Sequence, residues 1–217
     1  MQTDRQNVSL IDSFCTQSPI IPVVAIDSAT DAIPLARALI AGGIEIIEIT
    51  LRTKAALQAI QLIAQELPQM KVAAGTIVNP EQYQQAIDAG ASLVISPGIT
   101  HNLLLKGQDN KVPLLPGISS ASELMQALEL GYSRCKFFPA EAAGSYPMLK
   151  ALQGPFEQVK FCPTGGITQE NAKHFLSLKN VICVGGSWLS PKTLIEQQDW
   201  AAITQIAKVS LYNCHQN

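Results

Sequence analysis

Ile44-Glu45-Ile46-Ile47-Glu48-Ile49-Thr50-Leu51-Arg52 reads as a strand with two unlike faces. Side chains alternate along a strand, so Glu48, Thr50 and Arg52 share one side and Ile47, Ile49 and Leu51 the other. The apolar side suits covering helices, and a helical segment over 54–67 follows directly. The polar side then points inward, toward the mouth of whatever the strands enclose.

The same alternation of strand and helix extends along the chain. Apolar strand runs fall at 20–26, 44–51, 71–75, 92–96, 112–116, 134–138, 159–163 and 181–184. Helical segments follow at 29–41, 54–67, 80–89, 101–106, 120–130, 148–152 and 169–178, and the remainder is mostly helical to about 209. Pro80 sits where a helix starts, while Gly42-Gly43, Gly90 and Gly131 sit where helices end. A polar segment, helical over about 5–17, precedes the first strand. Eight strands with short links to their helices predict an α/β fold, a (β/α)8 TIM barrel with an additional N-terminal helix. The alternative is an open doubly wound sheet. No GxGxxG follows the first strand, however, and no break in composition separates two halves. The chain reads as one barrel domain over 1–217, with the barrel itself over about 19–210.

A length of 217 residues, 47% of them hydrophobic, is enough for a sizeable core and argues against disorder. The formal net charge is -2, and no basic run resembles a patch for nucleic acid or a membrane surface. A small phosphorylated metabolite needs only a local positive site and stays compatible. The five cysteines show no CxxC pairing, which predicts reduced thiols in a cytoplasmic protein, with Cys135, Cys162 and Cys183 buried in strands. No signal-peptide core or membrane-spanning run is present. His101, His174 and His215 are far apart without an HExxH pattern, so no metal site is expected.

Barrel enzymes place their sites at the C-terminal ends of the strands. The sixth strand carries Lys136-Phe137-Phe138-Pro139-Ala140-Glu141. Two readings fit a lysine set among apolar residues there. Its stem can lie along apolar surface with the ammonium in water. Alternatively it is short of hydration, the setting in which an amine serves as a Schiff-base nucleophile. Glu48 and Arg52 are either a structural ion pair or an acid/base group beside a carboxylate clamp. Thr76 ends the third strand and Ser96-Pro97-Gly98 the fourth. Thr164-Gly165-Gly166 and Gly185-Gly186-Ser187 end the last two, as ordinary turns or as backbone cradles for a phosphate, helped by a following helix N-terminus. Ser119 and Ser120 read as helix N-caps, and Trp188 and Trp200 as packing or interface residues. Glu141 either reaches the site or opens a helix.

Taken in order, these stretches resemble a known family, the bacterial 2-keto-3-deoxy-6-phosphogluconate and 4-hydroxy-2-oxoglutarate aldolases. The resemblance covers about 19–209 and rests on Glu48 to Thr53, Ala74-Gly75-Thr76, Ile95 to Gly98, Pro116 to Ser119, Lys136 to Glu141, Pro163 to Ile167 and Gly185 to Trp188. It implies a class I aldolase without metal or other cofactor, commonly a homotrimer. Lys136 would form the Schiff base at the C2 ketone and Glu48 would move protons. Arg52 and Thr76 would hold the pyruvate carboxylate, with Pro97 and Phe138 packed around the pyruvate part. Thr164 would lie near the C4 hydroxyl, and Gly165, Gly166, Gly185, Gly186 and Ser187 would take the phosphate. The sequence departs from the family's pattern at Asp27, where a basic residue is expected, and near Ala143, where an asparagine is expected. Substrates therefore range over the phosphogluconate compound, its phosphogalactonate analogue, and unphosphorylated 4-hydroxy-2-oxoglutarate or oxaloacetate. A non-catalytic sugar-phosphate-binding barrel is the alternative from another class.

Overall fold

The computed structural model of the protein describes residues 6–215. The chain runs α1 (Val8–Cys15), β1 (Ile20–Val24), a 3₁₀ turn (Ala29–Asp31), α2 (Ala32–Ala41), β2 (Ile46–Thr50), α3 (Ala56–Glu66), β3 (Lys71–Gly75) and α4 (Pro80–Asp88). It continues through β4 (Leu93–Ile95), α5 (His101–Gln108), β5 (Leu114–Leu115), β6 (Gly117–Ile118), α6 (Ala121–Glu129), β7 (Arg134–Phe137) and α7 (Ser145–Leu152). The last elements are β8 (Lys160–Pro163), α8 (Ala172–Leu176), β9 (Val184–Gly186), α9 (Lys192–Glu196) and α10 (Trp200–His215). Among the described residues, no helix is long and apolar enough to cross a membrane.

This is a mixed α/β fold built on a parallel half-barrel sheet. Six strands pair in the order β5-β4-β3-β2-β1-β9, and a three-stranded sheet follows the order β6-β7-β8. All of β2 is buried, as expected where both faces of a parallel strand are covered. Glu48 lies in register with Val23 of β1 and Ala73 of β3.

The fifth expected strand, over 112–116, is shifted and split. Leu114–Leu115 pairs with β4, whereas Gly117–Ile118 pairs with β7. Pro116 lies between them and has no N–H for a ladder. Its carbonyl accepts from Lys136 N at 2.8 Å, and so passes the chain from one sheet to the other. The eighth strand also moves, from the expected 181–184 to Val184–Gly186. Val181 makes only an isolated bridge to Phe161, whereas Val184 starts a regular ladder with Ile20. Gly185 and Gly186, read as turn residues, thus belong to a strand.

The expected N-terminal helix is present as α1, and residue 5 of that expectation lies outside the described residues. Ile11, Phe14 and Cys15 face the core. Asp12 takes a forked pair of bonds from Arg134, at 2.6 Å from Nε and 2.9 Å from Nη2. The buried Gln6 accepts from the backbone N–H groups of Ser133 and Arg134, both at 2.8 Å, and donates to the carbonyls of Leu114 and Arg134. These contacts fall where β5 and β7 begin, so α1 covers the end opposite the strand C-termini.

Ser120 is the N-cap of α6 in a reciprocal capping box, and Ser119 joins it. The Glu123 carboxylate accepts from Ser119 N at 2.6 Å, Ser119 Oγ at 2.9 Å and Ser120 N at 3.1 Å. Burial acts to raise the Glu123 carboxyl, but these bonds outweigh it and hold the group below its ordinary range. A carboxyl lowered by folding stabilises above the unfolded value and loses that contribution as pH falls through the folded one. Glu123→Ala should therefore cost about 1 kcal/mol at neutral pH. In urea titrations the gap to wild type should narrow below about pH 4.

Candidate active site

A cavity of about 300 Å³ opens at the C-terminal ends of the strands. Its wall draws Val23 from β1, Glu48 and Thr50 from β2 with Arg52 just beyond, Thr76 after β3 and Pro97 after β4. Lys136 comes from β7 with Phe138 beyond it, Thr164 to Ile167 follow β8, Gly185 lies in β9, and Ser187 follows. Every expected site residue lines this cavity except Gly186. That glycine is backed by the Trp188 ring, which a Cβ there would overlap.

At the centre, Lys136 Nζ lies 3.0 Å from Glu48 Oε1 and 3.4 Å from Oε2. The two side chains are 6% and 3% exposed, so neither charge is left to bulk water. Lys136 is therefore not the solvated surface lysine of the first reading. Glu48 pairs with the lysine and not with Arg52, which disposes of the structural Glu48–Arg52 pair. A buried pair survives desolvation only through close mutual contact. Gly75 explains how the carboxylate fits, because a Cβ at that position would overlap Glu48 Oε1. The Phe138 ring centroid lies 5.4 Å from Nζ, within cation–π range.

Arg52 is organised by Thr50, which the sequence reading set on the inward face without giving it a role in the site. Thr50 Oγ donates to Val24 O at 2.8 Å and accepts from Arg52 Nε at 3.1 Å. One edge of the guanidinium is thereby fixed at the rim, and the other is left to meet a planar anion. Alternation along the strand places Thr50 between Glu48 and Arg52 on the inward face, which is the signal that identifies it. Thr76 has φ 61, a left-handed backbone uncommon for a non-glycine residue and a recurrent form of local strain at functional sites.

On the far wall, Gly165 and Gly166 have φ values of 99 and 80, a turn that suits residues without a Cβ. Among the described residues, the amides of Gly166 and Ile167 donate to no protein acceptor, while that of Gly165 faces Gly185 of β9 across the Thr164–Gly185 bridge. Successive free N–H groups of this kind make a concavity for an anion. The expected assistance from a helix N-terminus does not materialise, since α8 starts only at Ala172 and α9 at Lys192. Glu141 stays outside the cavity and accepts from Asn171 Nδ2 at 3.1 Å. Asp27, at the unexpected acidic position, holds Lys192 Nζ at 2.8 Å on an exposed edge.

The five cysteines are free thiols, and Cys135, Cys162 and Cys183 are buried. Burial pushes the Cys135 thiol up to about 12. Cys162 lies in register beside Lys136 and is held below the ordinary thiol range. A hydrogen bond with Cys183 is the main cause, and the positive Lys136 assists against burial. Among the described residues, no three His, Cys, Asp or Glu side chains group to hold a metal ion.

A buried lysine–carboxylate pair at the strand ends of a parallel α/β sheet, with an arginine on one side and free backbone amides on the other, has the parts of an enzyme that works on small anions. Residues 11–206 match the family model for KDPG and KHG aldolase, and the chain belongs to that family. It is 50% identical over 206 residues to the 2-dehydro-3-deoxy-phosphogluconate aldolase of Pseudoalteromonas atlantica, covering 95% of each chain. A solved KDPG aldolase from Legionella pneumophila, with pyruvate captured at low pH as a covalent carbinolamine intermediate, matches with TM-score 0.91 and 48% identity. That match covers 92% of this chain and 97% of the other. The 2-keto-3-deoxy-6-phosphogluconate aldolase of Zymomonas mobilis with 3-phosphoglycerate matches at TM-score 0.88 and 44% identity, covering 93% and 94%.

Proposed function

We propose that this protein is a class I aldolase that cleaves 2-keto-3-deoxy-6-phosphogluconate to pyruvate and glyceraldehyde 3-phosphate. The observation that carries this reading is the buried contact of 3.0 Å between Lys136 and Glu48 on the cavity wall. The carbinolamine of the Legionella pneumophila relative agrees with it. The scaffold we propose is a single (β/α)8 domain, its two sheets being arcs of one ring. Pro116 joins them at one seam, and the Phe161–Val181 and Thr164–Gly185 bridges support closure at the other.

Glu48 is the nearest base to the Lys136 ammonium and takes its proton to free the amine. The amine attacks the C2 ketone to give a carbinolamine. Glu48 then gives its proton to the departing hydroxyl, and loss of water leaves a cationic Schiff base beside an ionised Glu48. Arg52 and Thr76 hold the carboxylate, while Pro97 and Phe138 wall in the pyruvate carbons. The iminium withdraws electrons, so removal of the C4 hydroxyl proton by Glu48 breaks the C3–C4 bond. The aldehyde leaves and an enamine remains. Glu48 returns a proton to C3, and water releases pyruvate and the free lysine. In this reading Thr164 contacts the C4 hydroxyl, and the Gly165–Gly166 turn with its Gly166 and Ile167 amides, together with Gly185 and Ser187, takes the phosphate.

A second reading, cleavage of unphosphorylated 4-hydroxy-2-oxoglutarate to pyruvate and glyoxylate, is favoured by Asp27. An acid stands there where a basic residue is expected, so it adds no positive charge to attract a phosphate, and its carboxylate is paired with the exposed Lys192 at 2.8 Å. Borohydride reduction in the presence of pyruvate tests the chemistry common to both readings. Intact mass should show one pyruvyl adduct per chain, mapped to Lys136. Absence of an adduct at that residue would sink both. Comparison of kcat/KM for the two substrates then ranks them.

A further inference from the structure

We propose that Asn171 and Glu141 are positioning residues that hold the Gly165–Gly166 turn in its anion-binding form and so set the preference for a phosphorylated substrate. The inference rests on the phosphate reading of this wall. Three consecutive carbonyls of the turn are held from outside the cavity. Thr164 O accepts from Ala140 N at 2.8 Å, Gly165 O from Glu141 N at 3.1 Å, and Gly166 O from Asn171 Nδ2 at 3.2 Å. In a trans peptide the carbonyl and the following N–H point in opposite directions. The Gly165 N–H, opposite the Thr164 carbonyl, faces Gly185 of β9, whereas fixing the Gly165 and Gly166 carbonyls outward turns the N–H groups of Gly166 and Ile167 toward the cavity these residues line.

The third bond is the only one of the three made by a side chain, and Asn171 is itself oriented at both ends. Its Oδ1 accepts from Thr168 N at 2.8 Å, and its Nδ2 also donates to Glu141 Oε1 at 3.1 Å. Glu141 in turn packs so closely on Gly166 that a Cβ at that glycine would overlap it. Neither Asn171 nor Glu141 lines the cavity. The positioning effect proposed for them passes through the backbone they hold.

The test compares KM and kcat for 2-keto-3-deoxy-6-phosphogluconate and 4-hydroxy-2-oxoglutarate, with inorganic phosphate as a competing probe. Asn171→Ala should raise KM for the phosphorylated substrate and weaken phosphate inhibition, each by roughly 3- to 10-fold, the scale of one lost hydrogen bond. Its kcat, and both constants for the unphosphorylated substrate, should stay within about 2-fold of wild type, below the effect of losing such a bond. Glu141→Gln keeps the acceptor and should behave as wild type, whereas Glu141→Ala should show part of the Asn171→Ala effect. A wild-type preference for phosphate that survives intact in Asn171→Ala overturns the positioning role alone. So does an equal loss for both substrates. A wild type indifferent to the phosphate overturns the reading beneath it.

Discussion

Lys136→Met should lower turnover of either keto acid by roughly 10⁴- to 10⁶-fold, the scale seen when a covalent nucleophile is removed from an enzyme. Steady-state release of pyruvate reads this directly, and the borohydride adduct should vanish with it. The substitution removes the only ion-pair partner of Glu48 among the described residues and leaves a carboxylate that is 3% exposed. Breaking one side of a buried pair typically costs about 3–5 kcal/mol. Thermal unfolding should accordingly fall, and circular dichroism must show that the variant is folded before its inactivity is interpreted. Retained turnover in a folded Lys136→Met protein would exclude the Schiff-base route.

Glu48→Gln should separate covalent capture from proton movement. Glutamine keeps the shape and a hydrogen-bond acceptor for Lys136 but cannot relay protons. Removing general acid–base help typically lowers rate by about 10²–10⁴-fold, and kcat should fall within that range. Pyruvate should still be trapped on Lys136 by borohydride, more slowly than in wild type. A variant with wild-type kcat would take the proton relay away from Glu48. The neighbouring Gly75 limits any alternative placement, since the carboxylate already fills the space of its missing Cβ.

The strands were legible because covered parallel strands are continuous apolar runs, and β2 is buried along its whole length. The inward face of that strand was legible for the same reason, through the alternation of Glu48, Thr50 and Arg52. The split at Pro116 has a local cause, the missing N–H, but its outcome depends on which neighbour each half meets. That is settled by Ser96 and Lys136, at distant points in the sequence. The shift of the last strand is likewise a pairing effect, since regular contact with β1 begins only at Val184.

Within the site, residue types at strand ends named the participants but not their pairing. Glu48 and Lys136 stand 88 positions apart, and alternation alone left Glu48 free to pair with Arg52. Asn171 could not be found at all by strand-end reasoning. It lies in the turn before α8, and its importance comes from two bonds made to Gly166 and Glu141. Thr50 stood in plain view but looked like a spacer, because its hydroxyl acts only through Val24 and Arg52.

Arg134 and Lys136 stand two positions apart on β7, and each is engaged at a different end of the molecule. Arg134 is tied to Asp12 and to Gln6, while Lys136 meets Glu48 in the cavity. Anyone fusing, tagging or immobilising this protein therefore faces unequal choices. A load applied ahead of α1 pulls on the very strand that holds the reactive amine, whereas the exposed Tyr212 lies on α10, a helix packed chiefly against α2.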